Sequence, residues 1–325
     1  MYQIKLGRGL HIKVKDNILL SICIPAFNRD DYLKNTLDSI VNQAKFPASC
    51  EVIISDNNST DNTRAIGEYF SRKYSNVRYY RNETNIGAES NFLKLLNYGQ
   101  GKYLKLHNDR ACFYKDKLDE LVKDIENSDH DVIFLLNENR GKQLEVGLIE
   151  CNNFDQFVQT VSYWSTWMCG IILKNEEYRN LKCKDRAIAS QLIQTDIMFR
   201  MLADCRSSLI INEKMLYEQA LEAKGGYNLF KVFIGNYLGL YQDYLKDGTL
   251  SRKSYKKEKI NLLRNFIFPW YTQIVLIKDK RFQFDTINAH HAILKRYWNE
   301  PFLYSYPLYL MKISLLRILQ KINFS

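Results

Sequence analysis

Two carboxylates in this chain each stand at or just beyond the end of an apolar run. Asp56 does so in EVIISDNNSTDNT (51–63), and Asp109 in YLKLHNDR (103–110). A third polar turn, Pro25 to Arg29, ends the apolar run 19–25. A carboxylate so placed can accept a hydrogen bond from a base N–H or a ribose hydroxyl, and nearby basic and amide groups can face phosphate oxygens. Taken singly, each turn reads as ordinary helix-capping chemistry. At the ends of parallel strands all three would line one rim, the edge at which open α/β sheets hold ligands.

The elements needed to build that rim are legible. Residues 19–25 form a short, almost continuous apolar run, as expected of a strand buried on both faces, and Pro25, which cannot donate to a ladder, is expected to stop it. Leu33, Leu37, Ile40 and Val41 then share one helical face, and residues 52–55 make the second strand. The connection has the length of a right-handed βαβ unit. A helix over 65–74, strands at 77–80 and 103–106, a helix over 118–125 and a strand at 132–136 continue the alternation, which predicts a doubly wound, mainly parallel sheet. Beyond Asn137 the rhythm breaks, with a strand at 171–173, a helix at 192–202, and a helical, aromatic region from Phe230 onward. The expected organisation is an arm over residues 1–17, a sheet domain over 18–225 and a helical C-terminal region over 226–325.

Composition narrows the function classes. Hydrophobic residues at 46% and charged residues at 25% of 325 describe a soluble globular chain. The net charge of +10 points to anionic partners without choosing among phosphates, membrane surfaces and nucleic acid. The basic residues are dispersed and form no nucleic-acid recognition motif, so nucleic acid is not expected as a partner. The seven cysteines contain no C-x-x-C pair and read as reduced core thiols. No signal-peptide pattern and no uncharged apolar run of about 18 residues is present, so no spanning helix is expected.

The motifs LLSICIPAFNR (19–29), EVIISDNNSTDNT (51–63) and NETNIGAESNF (82–92), with YLKLHNDR (103–110) less closely, resemble the family 2 glycosyltransferases of the GT-A fold. The resemblance spans roughly residues 18–210 and is nearest to bacterial enzymes of O-antigen and capsule synthesis. It implies a Rossmann-like sheet flanked by helices. It also implies transfer of one sugar from a UDP-, dTDP-, CDP- or GDP-sugar to a glycan acceptor, expected to be lipid-linked. By the same resemblance Pro25, Phe27, Asn28, Arg29, Asp56 and Asn57 hold the nucleotide, and Asn85, Gly87 and Asn91 approach the nucleotide or its diphosphate. Ala26-Phe27 replaces the family's frequent Thr-Tyr and removes two hydroxyls.

The departure lies at the metal motif. Where the family has Asp-x-Asp or Asp-Asp, this chain has Asn108-Asp109-Arg110. A Mg2+ or Mn2+ ion that keeps several waters can do with Asp109, the Asn108 carbonyl and two phosphate oxygens. Alternatively Arg110 itself neutralises the diphosphate. His107 reads as a neighbour of this site. The family's catalytic base heads a helix beyond the acceptor loop, which points to Asp196 in QLIQTDIMFRML, with Asp185 and Asp204 as competitors. The implied reaction is inverting, with one carboxylate as general base. Trp164 and Trp167 either stack on acceptor sugars or pack under their loop.

Two other classes remain in view. A nucleotidyltransferase can use a similar sheet, but no Gly-rich phosphate loop follows the first strand. A non-catalytic sugar-nucleotide-binding or assembly protein is compatible with the reduced metal motif. Met311, Leu315, Ile318, Leu319 and Ile322 fall on one helical face near the end of the chain, with Lys312, Arg317 and Lys321 largely on the other. That helix suits a membrane interface, the protein's own core or a second subunit. The expected location is cytoplasmic, with peripheral contact at the inner face of the membrane and homo-oligomers allowed.

Overall fold

The computed structural model describes residues 18–44, 46–137, 144–205, 207–221 and 224–307. The expected arm over 1–17 lies outside the described residues, as does the expected terminal helix beyond Pro307. Two compact units divide the chain. The first draws on Met1–Asn153, Ser165–Ile188 and Ile193–Gln219; the second draws on Phe154–Trp164, Ala189–Leu192 and Ala220–Ser325.

The first unit is built on an eight-stranded sheet. Its strands are β1 (Leu20–Ala26), β2 (Cys50–Asp56), β3 (Val77–Arg81), β4 (Tyr103–Leu106), β6 (Val132–Leu135), β7 (Gly147–Cys151), β8 (Ile171–Lys174) and β9 (Ser208–Asn212). They lie in the order β3-β2-β1-β4-β8-β6-β9-β7. A separate ribbon pairs β5 (Ala111–Phe113) with β10 (Leu216–Glu218). The half that carries the polar turns is parallel. Ile24 pairs with Ile54 and Ala26 with Asp56, while Cys23 on the other side of β1 pairs with Leu106. All three turns therefore leave the same edge. Beyond β4 the sheet is mixed, because β8 runs antiparallel to both β4 and β6.

Pro25 does not end β1; the strand continues to Ala26. Cys23 accepts from His107 N–H on the β4 side, and Ala26 accepts from Asn57 N–H on the β2 side. Alternate residues of a strand face alternate neighbours, so Pro25 faces the β4 side, where pairing has already stopped at Cys23. Its missing donor breaks no ladder bond. The sheet also extends past the point where the alternation breaks, through β7 and β9.

The sheet of this unit is flanked by its helices α1 (Asp30–Val41), α2 (Phe46–Ser49), α3 (Thr63–Lys73), α4 (Ala88–Tyr98), α5 (Lys117–Glu126), α7 (Asn175–Asn180) and α8 (Ile193–Asp204), while α6 (Phe154–Val161) belongs to the other unit. Leu33, Leu37, Ile40 and Val41 of α1 are buried, as are Leu118, Leu121, Val122 and Ile125 of α5, as their helical spacing requires. The head of α8 departs from that pattern. Residues 193–199 are all buried, polar Gln194, Thr195 and Asp196 included.

The second unit is helical. It contains π-helical segments at Lys231–Tyr237, Leu263–Ile267 and Thr272–Leu276, and α-helices at Arg252–Leu262 and Ala289–Tyr297. Buried Glu258 accepts from Ser162 Oγ (2.5 Å) and from the Tyr237 hydroxyl (2.9 Å). Those bonds compensate a carboxylate inside an aromatic core. No helix among the described residues is long and apolar enough to cross a membrane.

Candidate active site

The turns after β1 and β2 are zipped together. Asn28 adopts φ 52°, a left-handed conformation that asparagine tolerates better than most residues. Its N–H donates to Ser59 Oγ (2.9 Å), and its Oδ1 accepts from Thr60 N–H (2.9 Å). Arg29 N–H donates to Thr63 Oγ1 (2.9 Å). Asp30 N–H donates to Asp61 Oδ2, and Asp30 Oδ2 in turn accepts from Asn62 N–H, both at 3.1 Å. The two sequence motifs thus form one structural piece, with Phe27 at its surface, 42% exposed.

Asp56 is fully buried, at 0% exposure. Oδ1 accepts from Ser59 N–H (2.8 Å) and Ser59 Oγ (2.5 Å), Oδ2 accepts from the Tyr79 hydroxyl (2.6 Å), and Arg81 Nε lies 3.5 Å from Oδ2. Those partners fill the lone-pair directions of a carboxylate. Burial and the neighbouring Asp56 push the Tyr79 phenol pKa upward, so Tyr79 remains a donor. In this conformation Asp56 braces the 56–63 turn. Accepting from a base or ribose, the role the resemblance implies, requires one of these partners to give way.

Behind the turn runs an asparagine network. Asn57 Nδ2 donates to Asn85 Oδ1 (2.8 Å), and Asn57 Oδ1 accepts from Asn82 Nδ2 (3.0 Å) and Ile86 N–H (3.0 Å). Asn91 Oδ1 accepts from Ser55 Oγ (2.7 Å) and Asn82 Nδ2 (2.9 Å), while its Nδ2 donates to Ser55 O (3.0 Å). Asn57 and Asn91 are buried within these bonds, whereas Asn85 and Gly87 are exposed at the rim. Gly87, at φ 82°, has the left-handed conformation that glycine adopts without strain.

Asp109 joins the first and last motifs. Its Oδ2 lies 3.3 Å from Arg29 Nε, and its backbone carbonyl accepts from Thr36 Oγ1 (2.9 Å). Asp109 is 9% exposed, and burial pushes its pKa up to about 6 against the opposing pull of Arg29 and Arg110. The carboxylate therefore sits where nearby positive charge does not make up for lost solvation. Arg110 is engaged elsewhere: it donates from Nη2 to Glu218 Oε2 (2.5 Å) and from Nη1 to Gln219 O (2.9 Å). Asn108 N–H donates to Cys169 Sγ (3.1 Å), and its Oδ1 accepts from Arg110 N–H (3.1 Å). Among the described residues no three His, Cys, Asp or Glu side chains gather as a metal site.

Under this loop lies a buried lysine. Lys105 Nζ donates to Cys169 O (2.6 Å) and Leu106 O (3.2 Å) and lies 3.4 Å from His107 Nδ1. His107 Nε2 is 2.8 Å from Ala111 O, an acceptor, so Nε2 carries the proton and Nδ1 accepts from Lys105. Burial lowers the Lys105 pKa to about 8. Burial, and Lys105 second, hold the His107 pKa well below its ordinary value. His107 is thus a neutral neighbour of Asp109.

Asp196 lies in the first turn of α8 and is 1% exposed. Arg186 grips it bidentately, with Nε 3.0 Å from each carboxylate oxygen and Nη2 2.7 Å from Oδ1. The adjacent Thr195 Oγ1 donates to Ser165 O (3.4 Å), and Gln194 Nε2 to Thr166 O (3.4 Å). The segment that follows carries Met168 and Cys169 against Asn108. Trp167 donates from Nε1 to Glu218 Oε1 (2.7 Å), so this exposed carboxylate receives both Trp167 and Arg110.

Sequence reasoning missed Lys105, Arg186, Glu218 and Tyr79. A lysine within the otherwise apolar YLKL was the one visible signal. The others arrive from separate segments, with no local pattern to mark them.

Residues 21–145 match the family described as glycosyl transferase family 2. The abequosyltransferase RfbV of Salmonella typhimurium is 38% identical over 102 residues, 31% of this chain and 31% of that one. TuaG of Bacillus subtilis, named for teichuronic acid biosynthesis, is 31% identical over 105 residues, 32% of this chain and 41% of its own. The chain thus matches less than half the length of either relative. Staphylococcus aureus TarS, solved with UDP-GlcNAc, superposes with a TM-score of 0.56 at 16% identity, covering 78% of this chain and 73% of that one. A mannosyltransferase of Pyrobaculum calidifontis, solved with GDP-Man and Mn2+, gives 0.54 at 13% identity, with 78% and 71% covered. Residues 21–145 of this chain thus match glycosyl transferase family 2, and its sheet domain has the GT-A fold of these solved structures.

Proposed function

We propose that this protein is an inverting glycosyltransferase of surface polysaccharide synthesis, which moves one sugar from a nucleotide-sugar donor to a lipid-linked glycan acceptor. One observation carries the reading: the interlocked 27–31 and 57–63 turns stand at one sheet edge with Asp109 ion-paired to Arg29. The names of RfbV and TuaG support polysaccharide synthesis. The ligands of TarS and of the mannosyltransferase support a nucleotide-sugar donor.

Within this reading the exposed rim of Phe27, Asn28, Asn85 and Gly87 receives the nucleoside, and Pro25, Asp56, Asn57 and Asn91 keep the rim in shape. The donor set at Asp109 fits a divalent cation. This buried carboxylate, with its pKa raised despite Arg29, is short of positive charge. A Mg2+ or Mn2+ ion that takes its other ligands from diphosphate and water needs no second protein carboxylate. Such a cation, when bound, neutralises charge on the departing diphosphate. Arg29, beside Asp109, would pair with a phosphate oxygen of the donor, and Arg110 keeps the loop in place through Glu218. Asp196 accepts the proton of the acceptor hydroxyl once Arg186 swings aside. Peripheral contact at the cytoplasmic face of the membrane would bring the enzyme to a lipid-linked acceptor.

The closed Arg186–Asp196 pair favours one alternative, a donor-binding protein without turnover. Release of nucleoside diphosphate from a panel of UDP-, dTDP-, CDP- and GDP-sugars, with and without a chelator, separates the two. Transfer or donor hydrolysis that needs a divalent cation and is lost in Asp109→Ala is the expected result. No turnover with any donor, despite tight donor binding, would establish the alternative.

A further inference from the structure

The helical unit holds a cavity of about 740 Å³ that the donor-site residues do not line. This volume lies within the range of small-molecule sites. Lys231, Lys295, Arg296 and His291 line it, against a single carboxylate, Asp285. That carboxylate is engaged in the cavity wall: Oδ2 accepts from Asn228 Nδ2 (3.1 Å) and Oδ1 from Ile287 N–H (2.8 Å). The side chains of Lys231, Lys295 and His291 make no hydrogen bond or ion pair among the described residues. Arg296 is held in place by Nη2, which donates to Leu238 O (3.1 Å) and the Tyr255 hydroxyl (2.5 Å). Its Nε is buried and has no partner.

A guanidinium fixed in the wall and two free ammonium groups lining the same cavity suit an anion with several acceptor oxygens, which a phosphate supplies. The rest of the wall is not polar. Ile234, Ile287 and Ala292 line it, and a Cβ built on Gly235 meets nothing within 4 Å. Inorganic phosphate would leave most of that volume and apolar surface uncovered.

We propose that this cavity binds the diphosphate of an amphiphilic ester, with the diphosphate on Lys231, Lys295 and Arg296 and an apolar chain along Ile234, Ile287 and Ala292. The choice of a lipid diphosphate as occupant rests on the proposed lipid-linked acceptor, whereas the anion site stands on its own geometry. Lys231 and Lys295 are exposed, so binding also weakens as salt rises.

Calorimetric titration of the full chain with geranyl diphosphate tests this, with inorganic pyrophosphate and UDP titrated in parallel. Geranyl diphosphate is expected to bind more tightly than pyrophosphate. The Lys231→Ala/Lys295→Ala variant should weaken it roughly tenfold or more per lysine. Gly235→Leu, which fills the cavity without touching a charge, should weaken it too. Thermal unfolding checks that both variants remain folded, and UDP affinity should not change in either. Absence of geranyl diphosphate binding, equal affinity for pyrophosphate, or binding that survives both variants would overturn the assignment. Absence of binding by UDP, dTDP, CDP and GDP alike to the wild-type chain would instead overturn the donor reading and leave the cavity assignment intact.

Discussion

At the scale of the residue, Asp109 sets function against stability. Burial raises its pKa from 3.8 to about 6, so between those values the folded chain binds more protons than the unfolded one. Stability from this group is therefore present near pH 4 and lost as pH rises through about 6, a loss on the order of 3 kcal/mol. Asp109→Asn should accordingly raise the urea midpoint at pH 7.5, with a gain that shrinks toward pH 4, while transfer activity falls. An equal midpoint shift at both pH values would refute the assignment of the penalty to this carboxylate. Asp196 makes the opposite case, since Arg186 compensates it on both oxygens. If Asp196 is the base, Asp196→Asn keeps its shape and should lower kcat roughly 10²- to 10⁴-fold with little change in donor KM. Unchanged kcat would remove it from the mechanism and return Asp185 and Asp204 to consideration.

At the scale of the element, the edge that carries the site is held by side chains reaching between motifs. Asn91, in the first turn of α4, ties that helix to the end of β2. Asn91→Leu would strand Ser55 Oγ and take one acceptor from Asn82, at about 1–3 kcal/mol for each buried group left unpaired. The expected result is a clear fall in thermal midpoint and a raised donor KM, because the 82–87 turn loses its anchor; an unchanged midpoint would show that the network is dispensable. Much of this frame was legible in the sequence. The strands β1, β2 and β4 are apolar runs buried on both faces, and the spacing of Leu33, Leu37 and Ile40 defines α1. The rest was hidden for physical reasons. At three residues each, β5 and β10 are too short to show a period, and β7 is an edge strand whose Leu148 faces solvent, so no apolar alternation marks it. The closure of Asp56 by Tyr79 and Arg81 depends on the β2–β3 register, in which Asp56 faces Arg81. Arg186 reaches Asp196 from a loop that carries no periodic signal. The missing N–H of Pro25 is visible in the sequence and predicts a stop, whereas the side to which Pro25 points is not visible there.

At the scale of the whole molecule, the net charge of +10 attracts any nucleotide, so binding alone does not test the site. Cooperation between metal and nucleotide does. If a cation is shared between Asp109 and a diphosphate, Mn2+ and nucleoside diphosphate stabilise the fold together more than the sum of either alone. A ligand at about 100 times its Kd adds about 2.7 kcal/mol. The measurement is the thermal midpoint with UDP, dTDP, CDP or GDP, with Mn2+, and with both, at pH 7.5 and 5.5. A chain of two units can melt in more than one step, so the shift is read on the transition that Asp109→Asn also moves. Cooperation should be present at pH 7.5 and weaker at pH 5.5, where Asp109, with its pKa near 6, is largely protonated and no longer competes for the cation. Nucleotide binding that is simply salt-sensitive, equal with and without Mn2+ at both pH values, would mean that the chain neutralises the diphosphate with its own cations. Arg29, already on Asp109 in the absence of ligand, would then be the group to examine.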